Sequence, residues 1–127
     1  MADSELRAKG KQIFEDVTQV PAFEPSDPFT AANLDQCFGA LWSRPGLTRR
    51  ERRFLSLATV GARGMDQEVM FHVRGALKSG DISSAEMIEI ILHVTQYAGW
   101  PCGAVMYRHY RDVCEDLGLE VPGPDES

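Results

Sequence analysis

Apolar residues recur at steps of three and four along most of the chain, a spacing typical of amphipathic α-helices. This pattern predicts a first helix from about Ser4 to Val17. Prolines at positions 21, 25 and 28 then predict an extended connector, because proline removes an amide donor and disfavours helix in the preceding residue. A second helix is predicted from Ala31 to Trp42, ending at the turn 43–46. No stretch has the alternating pattern of a strand.

Capping signals predict four further helices. Thr48 with Glu51, and Ser83 with Glu86, have the spacing of capping boxes, in which a hydroxyl and a carboxylate satisfy the first free amides of a helix. Asp66 is predicted to cap the helix that lies between these two. The remaining boundaries are predicted at Gly80, Pro101 and Gly118.

These elements predict an all-α fold, a single domain of about six helices whose antiparallel neighbours are joined by short turns. A chain of 127 residues has the size of one domain and leaves apolar surface for a partner. We expect residues 1–29 to form an N-terminal arm and connector, residues 30–118 to form the helical core, and residues 119–127 to form a flexible tail.

Two histidines lie on different kinds of helix face. His72 shares an apolar stripe with Val69 and Val73. It is either a core histidine whose ring nitrogens are hydrogen-bonded, or a titratable group in the wall of a pocket. His93 lies on the polar stripe of the next helix, one turn from the carboxylate of Glu89, and many such stripes are simply exposed to water.

The charge distribution argues for a small anionic ligand. A formal net charge of −6 argues against binding nucleic acid, which depends on neutralising phosphates. Between Arg44 and Arg74, however, seven arginines face three acids. A local cationic zone on an acidic protein suits a small anion, although surface ion pairing also explains any one of these arginines.

The cysteines and the overall hydropathy pattern narrow the class of protein. Cysteines at 37, 102 and 114 are widely spaced within apolar helical patterns, so we expect reduced core residues, with neither a disulfide framework nor a metal site. No apolar run is long enough to cross a bilayer, and the amino terminus is too polar for a signal peptide. The expectation is a cytoplasmic protein with no membrane partner.

Several motifs occur in an order that is typical of one family. They are the turn Arg44-Pro45-Gly46-Leu47 followed by Arg52, the element His72-x-x-x-Ala76-x-x-x-Gly80, and the run Tyr97-Ala98-Gly99-Trp100-Pro101. Through them the stretch from about Leu34 to Leu117 resembles the carboxymuconolactone decarboxylase family of the alkyl hydroperoxidase D-like superfamily. The resemblance implies an all-helical protomer that assembles into homotrimers or homohexamers, with pockets shared between subunits.

The chain departs from the thiol peroxidases of that superfamily. Those proteins use a Cys-x-x-Cys pair followed four residues later by a histidine. When His72 is aligned with that histidine, the cysteine positions hold Met65 and Glu68. A glutamate of the peroxidase proton relay is replaced by Arg53. Without a thiolate to attack a peroxide, peroxidase activity is not expected.

The resemblance implies a decarboxylase that needs no cofactor. Its substrate would be 4-carboxymuconolactone, of the β-ketoadipate pathway for degrading aromatic compounds, or a related small anionic lactone or unsaturated acid. The carboxylate leaves a carbon vinylogous to the lactone carbonyl, so the substrate itself takes up the electrons and requires no metal or organic cofactor. The protein then has to hold the surviving carboxylate, stabilise the developing oxyanion and protonate carbon.

The family motifs suggest which residues would perform these tasks. Arg44 and Arg52 are expected to bind the carboxylate, because a guanidinium offers paired donors. His72 is expected to transfer the proton, since an imidazole can hold and return one near neutral pH. His93 is a second candidate, either as a donor to the lactone oxygen or as part of a neighbouring subunit's pocket.

Three further residues complete the predicted site. Glu51 would orient an imidazole, although its capping box already explains it. Tyr97 and Trp100 are expected to form an apolar wall that removes water from the leaving carboxylate. The alternatives are a related isomerase or cyclase on the same scaffold, or a non-catalytic binding or assembly protein. The substrate, the oligomer number and the convergence of these residues on one site stay open.

Overall fold

Six α-helices and one π-helical segment form the regular structure of residues 2–126, the part of the chain that the computed structural model describes, with side chains from Ser4 onward. No strand occurs in that part of the chain, and the all-α prediction is confirmed. The helices are α1 (Ala2–Thr18), α2 (Pro28–Ala32), α3 (Arg49–Ala62), α4 (Asp66–Ser79), α5 (Ser84–Ala98) and α6 (Trp100–Leu117), and the π-helical segment is Asn33–Leu41.

The π-helical segment continues from α2 and differs in winding from the single helix predicted between Ala31 and Trp42. Its amides bond to carbonyls five residues back, as the Trp42 amide does to the Cys37 carbonyl at 3.0 Å. The segment packs against α1 so closely that a Cβ atom at Gly10 would overlap the Leu34 carbonyl oxygen. Gly10 therefore lies on the buried face of α1.

The helix ends that are determined by residues close in sequence lie where they were predicted. Thr48 and Glu51 form the capping box of α3, and Ser83 and Glu86 form that of α5. α4 and α6 each end at a glycine in the left-handed conformation, with φ of +81° and +68°. A side chain is disfavoured there, so glycine stops the helix. These two residues are Gly80 and Gly118.

The prediction that Asp66 caps α4 is wrong. Asp66 is the first residue of the helix, and Met65 precedes it without a side-chain cap. The Asp66 carboxylate instead accepts hydrogen bonds from Arg108 at 3.0 Å and from His109 Nε2 at 2.9 Å. Both partners belong to α6. The Asp66 carboxylate is therefore bonded to residues distant in sequence and does not cap its own helix.

Helices α3 to α6 enclose the main hydrophobic core. Val69 and Val73 of α4 are fully buried, as their stripe predicted. Tyr110 of α6 is also fully buried, but Tyr107, three residues before it on the same helix, is 42% exposed. Its hydroxyl accepts a hydrogen bond of 2.9 Å from the Arg111 guanidinium at the surface, which gives its polar end a partner outside the core.

A second, smaller apolar cluster lies between α1 and the π-helical segment. Ile13 and Val17 of α1 pack there with Phe38 and Trp42. The end of α1 also meets α4 at Gly75, where a Cβ atom would overlap the Val17 carbonyl oxygen. The N-terminal helix is therefore an integral part of the packing, and it brings Trp42 next to α4.

The most deeply buried charge in the described chain is Arg53, whose side chain is 1% exposed. Its Nε donates to Asp81 Oδ2, and its two terminal nitrogens donate to the carbonyls of Val17 and Asp16, all at 2.8 Å. Those carbonyls belong to the last turn of α1, where helical carbonyls lack partners and the helix dipole favours a cation. One guanidinium thus joins α1, α3 and the loop before α5.

Two other expectations concern cysteines and membranes. All three cysteines are free, but only Cys114 is buried, while Cys37 and Cys102 are partly exposed. The prediction of three core cysteines therefore holds for Cys114 alone. None of the helices in the described part of the chain has the length and apolarity needed to span a bilayer.

Substitution of Arg53 should strongly destabilise the fold. In Arg53→Met, the Val17 carbonyl and the Asp81 carboxylate lose their partner and the Asp16 carbonyl keeps only its bond from Gln19 Nε2, so we expect the free energy of unfolding to fall by about 3 kcal/mol or more. Urea denaturation at fixed protein concentration measures this change. Arg50→Met is the matched control, because Arg50 also bonds at residue 81 but lies at the surface. Equal losses in the two variants would show that the buried arginine has no special role.

Candidate active site

His72 lies on the face of α4 that turns towards the second apolar cluster. Its ring is partly buried and stacks on the indole of Trp42, with centroids 6.3 Å apart and planes at 10°. Within residues 4–126 neither ring nitrogen has a hydrogen-bond partner. The first of the two interpretations, a core histidine with bonded nitrogens, therefore does not describe this side chain. Its polar atoms remain available.

The environment of His72 keeps the imidazole neutral. Burial, with a smaller contribution from the positive charge of Arg53, lowers the pKa of His72 from 6.5 to about 4. The ring therefore carries no charge at pH 7 in the free protein. A neutral ring offers one N–H donor and one acceptor, so it can bind a ligand atom of either kind.

Trp42 is a functional candidate that the sequence pattern did not single out. It ends the apolar stripe of the π-helical segment and is 7% exposed. Phe38 stacks on the same indole, with centroids 6.2 Å apart and planes at 20°, and Phe14 packs edge-on against Phe38. Stacked aromatic contacts of this kind restrict where the His72 ring can lie. Only the tertiary fold reveals this contact, because Trp42 and His72 are distant in sequence.

The two predicted carboxylate-binding arginines are neighbours. Arg52 Nη2 donates to the main-chain carbonyl of Arg44 at 3.3 Å, while the Arg44 side chain is exposed. The Nε atom of Arg52 is shielded from solvent and has no hydrogen-bond partner in the described chain. Arg52 also lines a cavity of about 100 Å³ together with Leu41, Trp42, Leu55 and Ser56.

Glu51 lies at the start of α3 and is already bonded. One carboxylate oxygen accepts a hydrogen bond of 2.8 Å from the Thr48 amide in the capping box. That amide and the Thr48 hydroxyl hold the pKa of Glu51 below its ordinary value. The carboxylate is thus ionised and occupied, and no described imidazole is bonded to it.

His93 lies in a separate groove between α3 and α5. The groove has a volume of about 550 Å³ and is mostly apolar. Its walls include Phe54, Leu55, Ile90 and His93. Leu55 also lines the small cavity beside Arg52, so the two spaces adjoin at this side chain.

Tyr97 and Trp100 are the most exposed of the predicted site residues, at 84% and 72%. The Tyr97 ring stacks on His93, with centroids 5.0 Å apart and planes at 22°. Neither aromatic side chain lines the small cavity beside Arg52. Leu92, on the same helix as Tyr97, is a further exposed apolar side chain, at 49%.

The structure thus brings the predicted residues into two groups. One group joins His72 to Arg52 through Trp42, which contacts the imidazole and lines the arginine's cavity. The other joins His93 to Tyr97 beside the apolar groove. In residues 4–126 no hydrogen bond or ring contact links His72 with His93, Glu51 or Arg44. The same part of the chain has no group of three His, Cys, Asp or Glu side chains placed to hold a metal ion.

The neutral state of His72 should make stability depend on pH. The pKa is lower in the folded protein than in the unfolded chain, so the unfolded chain binds the proton first as pH falls. We expect the free energy of unfolding to drop by up to about 3 kcal/mol between pH 6.5 and pH 4 relative to His72→Gln. Urea titrations of both proteins across this range give the difference, in which the shared carboxylates cancel. Parallel curves would contradict a neutral His72.

The indole of Trp42 should help to keep water from His72. In Trp42→Leu we expect the pKa of His72 to rise towards its ordinary value by about one unit, because the ring is better hydrated. NMR titration of the imidazole resonances measures this, with His72→Gln providing the assignment. The matched control is Trp100→Leu, since the exposed Trp100 indole has no contact with His72. An unchanged titration in Trp42→Leu would remove Trp42 from this role.

Two curated relatives match this chain over nearly two thirds of its length. The 4-carboxymuconolactone decarboxylase of Acinetobacter baylyi is 35% identical over 82 residues, which are 65% of this chain and 60% of that protein. The nitrosuccinic acid decarboxylase of Metarhizium robertsii is 32% identical over 84 residues, which are 63% of this chain and 58% of that protein. The chain therefore spans about three fifths of the length of these curated relatives.

A family model gives the same assignment as the motifs. It matches residues 27–102, from the residue before α2 to the first turn of α6, and it represents the carboxymuconolactone decarboxylase family. The matched stretch includes His72, Trp42, Arg52 and Ser56 and covers more than half of the chain. The chain belongs to the carboxymuconolactone decarboxylase family.

Proposed function

We propose that this protein decarboxylates a small acid with two carboxylates, one of which lies beside an electron-withdrawing group. The observation that carries the proposal is the Trp42 indole, which stacks on a neutral, unbonded His72 and lines the cavity of Arg52. A proton-transfer group and a carboxylate-binding group therefore adjoin one apolar surface. Decarboxylation of such an acid requires a group that binds the remaining carboxylate and a group that protonates carbon, because the substrate itself takes up the electrons of the broken bond.

The names of the two relatives support this substrate class. One acts on 4-carboxymuconolactone and the other on nitrosuccinic acid. In the first acid a lactone takes up the electrons of the broken bond, and in the second a nitro group can do so. Each acid also keeps a second carboxylate after carbon dioxide is lost. The shared chemistry, not either compound alone, defines the class that we propose for this chain.

The reaction divides into bond cleavage and protonation. The bond between the carbon and the leaving carboxylate breaks, carbon dioxide departs, and the electron pair moves to an oxygen of the lactone or nitro group. The apolar wall at Trp42 favours this step, because water stabilises the ionised carboxylate more than it stabilises the neutral product. Tyr97 and Trp100 do not line this cavity and would contribute only from a neighbouring subunit. The carbon then takes one proton, which completes the balance.

His72 supplies that proton in our proposal. In the free protein its pKa is about 4, which is too low for an acid at neutral pH. A bound substrate brings two negative charges next to the ring and raises the pKa of the imidazole. The ring then takes a proton from solvent. Carbon dioxide leaves as a neutral molecule, the charge of the leaving carboxylate stays on the substrate as an oxyanion, and the imidazolium gives its proton to carbon, which removes that charge. Arg52, assisted by Arg44, holds the surviving carboxylate throughout.

The remaining predicted residues have secondary roles. His93 donates either to the developing oxyanion in its own protomer, since its groove adjoins the first site at Leu55, or to the pocket of a neighbouring subunit. We propose a homotrimer or homohexamer because the apolar side chains of Leu92, Tyr97 and Trp100 are exposed in the protomer. Glu51 acts through its capping box alone. We propose a cytoplasmic enzyme of aromatic-compound degradation or of a related pathway for small acids.

Turnover of both named acids tests the proposal. We expect purified protein to release carbon dioxide from 4-carboxymuconolactone, from nitrosuccinic acid, or from both. In His72→Asn we expect kcat to fall by about a hundredfold or more, the usual contribution of a general acid. His109→Asn is the matched control, because His109 bonds to Asp66 away from the cavity.

Two results would count against the assignment. Undiminished turnover in His72→Asn would exclude His72 from the reaction. A folded protein that releases carbon dioxide from neither acid would exclude the proposed substrate class as represented by these two compounds. Size-exclusion chromatography of each variant shows whether its oligomeric state has changed.

A further inference from the structure

Two polar side chains four residues apart on α3 lack partners for most of their donors. Arg52 and Ser56 lie on the same face of the helix, as residues at this spacing do. Both line the cavity of about 100 Å³ between α3 and the end of the π-helical segment. The other walls are Leu41, Trp42 and Leu55, which are apolar.

The Arg52 guanidinium is the first of these two groups. A guanidinium has five N–H donors, and in the described chain Arg52 uses only Nη2, in a 3.3 Å bond to the Arg44 carbonyl. Its Nε is shielded from water and unbonded. A shielded donor without an acceptor is costly, so a ligand that supplies an acceptor is favoured there. Planar carboxylates match this geometry better than spherical anions do.

Ser56 is the second group, and it differs from the other helical hydroxyls. Thr18, Thr59 and Thr95 each bond to the carbonyl four residues earlier in their own helix, at 2.7 Å. A serine or threonine hydroxyl inside a helix commonly forms a bond of this kind. The Ser56 hydroxyl has no hydrogen bond within residues 4–126, although it too follows a helical carbonyl by four residues. Its donor is therefore free for a ligand in the cavity.

We propose that this cavity is a carboxylate-binding site in which the Arg52 guanidinium and the Ser56 hydroxyl both donate to one carboxylate. The volume accommodates a carboxylate and one or two methylene groups, which the apolar walls contact. The site deepens the proposed function, because it would hold the carboxylate that survives decarboxylation. The proposed site depends on the proposed function only in one respect, the identity of the whole substrate. Carboxylate binding itself can be measured without turnover.

The position of the site restricts the rest of the substrate. Trp42 lines the cavity and also stacks on His72. A molecule held by its carboxylate at Arg52 and Ser56 therefore has beside its anchored end the same indole that contacts the imidazole. Acids whose two carboxylates are separated by a short chain fit this arrangement, and Ser56 becomes a residue that determines substrate specificity.

Acetate binding tests the site directly. In ¹⁵N-labelled protein we expect acetate, added against a chloride control of equal ionic strength, to shift the Nε–H resonance of Arg52 in a saturable way. Arg52→Lys identifies the resonance. In Ser56→Ala we expect the Kd for acetate to rise by about tenfold, the effect of losing one hydrogen bond to a charged group. Thr59→Ala is the matched control on the same helix, because the Thr59 hydroxyl is bonded to the Leu55 carbonyl.

The outcomes separate the site from the proposed function. No saturable shift with acetate, or an equal Kd in wild type and Ser56→Ala, overturns the site. If acetate binding depends on Ser56 but the protein decarboxylates neither named acid, the site is supported and only the proposed function is overturned. In an active enzyme, Ser56→Ala should raise KM by about tenfold with kcat retained. An unchanged KM overturns the role of Ser56 while the decarboxylase function stands.

Discussion

The buried guanidinium of Arg53 is the interaction on which the rest of this structure depends. It holds the last carbonyls of α1 and the Asp81 carboxylate in one network. With that end fixed, α1 packs along the π-helical segment and encloses the small apolar cluster. Trp42 belongs to this cluster, and its indole also stacks on the His72 ring of α4. Burial lowers the pKa of His72, and the same guanidinium charge lowers it further. One cation therefore contributes to both the geometry and the protonation state of the site.

A neutral imidazole suits the proposed reaction, in which a dianion becomes a monoanion by taking up a proton. In the free protein a positive ring beside Arg53 would be disfavoured by like charge and by burial. In the proposed reaction an entering dicarboxylate reverses that balance. Transfer of the proton to carbon removes one negative charge from the substrate and leaves the imidazole neutral again. Burial of His72 has a chemical consequence here beyond its contribution to packing.

Local rules predicted much of this fold, and long-range contacts explain the differences. The capping boxes at Thr48 and Ser83 formed as predicted, because each depends on residues three positions apart. Asp66 did not cap α4, because α6 supplies its partners. The apolar stripe placed His72 correctly on its helix, but the stack on Trp42 joins two distant segments that no periodicity relates. Likewise the unbonded state of Ser56 becomes visible only when every neighbouring acceptor is located.

The packing of α1 bears on how the boundaries of this domain are understood. The stretch that matches the family model begins at residue 27, after α1 has ended. Nevertheless α1 supplies Ile13 and Val17 to the small cluster and two acceptors to Arg53. A fragment trimmed to the matched stretch would leave the indole of Trp42 uncovered and a cation without its carbonyls. The stretch that matches the family model is therefore shorter than the stretch that packs together as one folding unit.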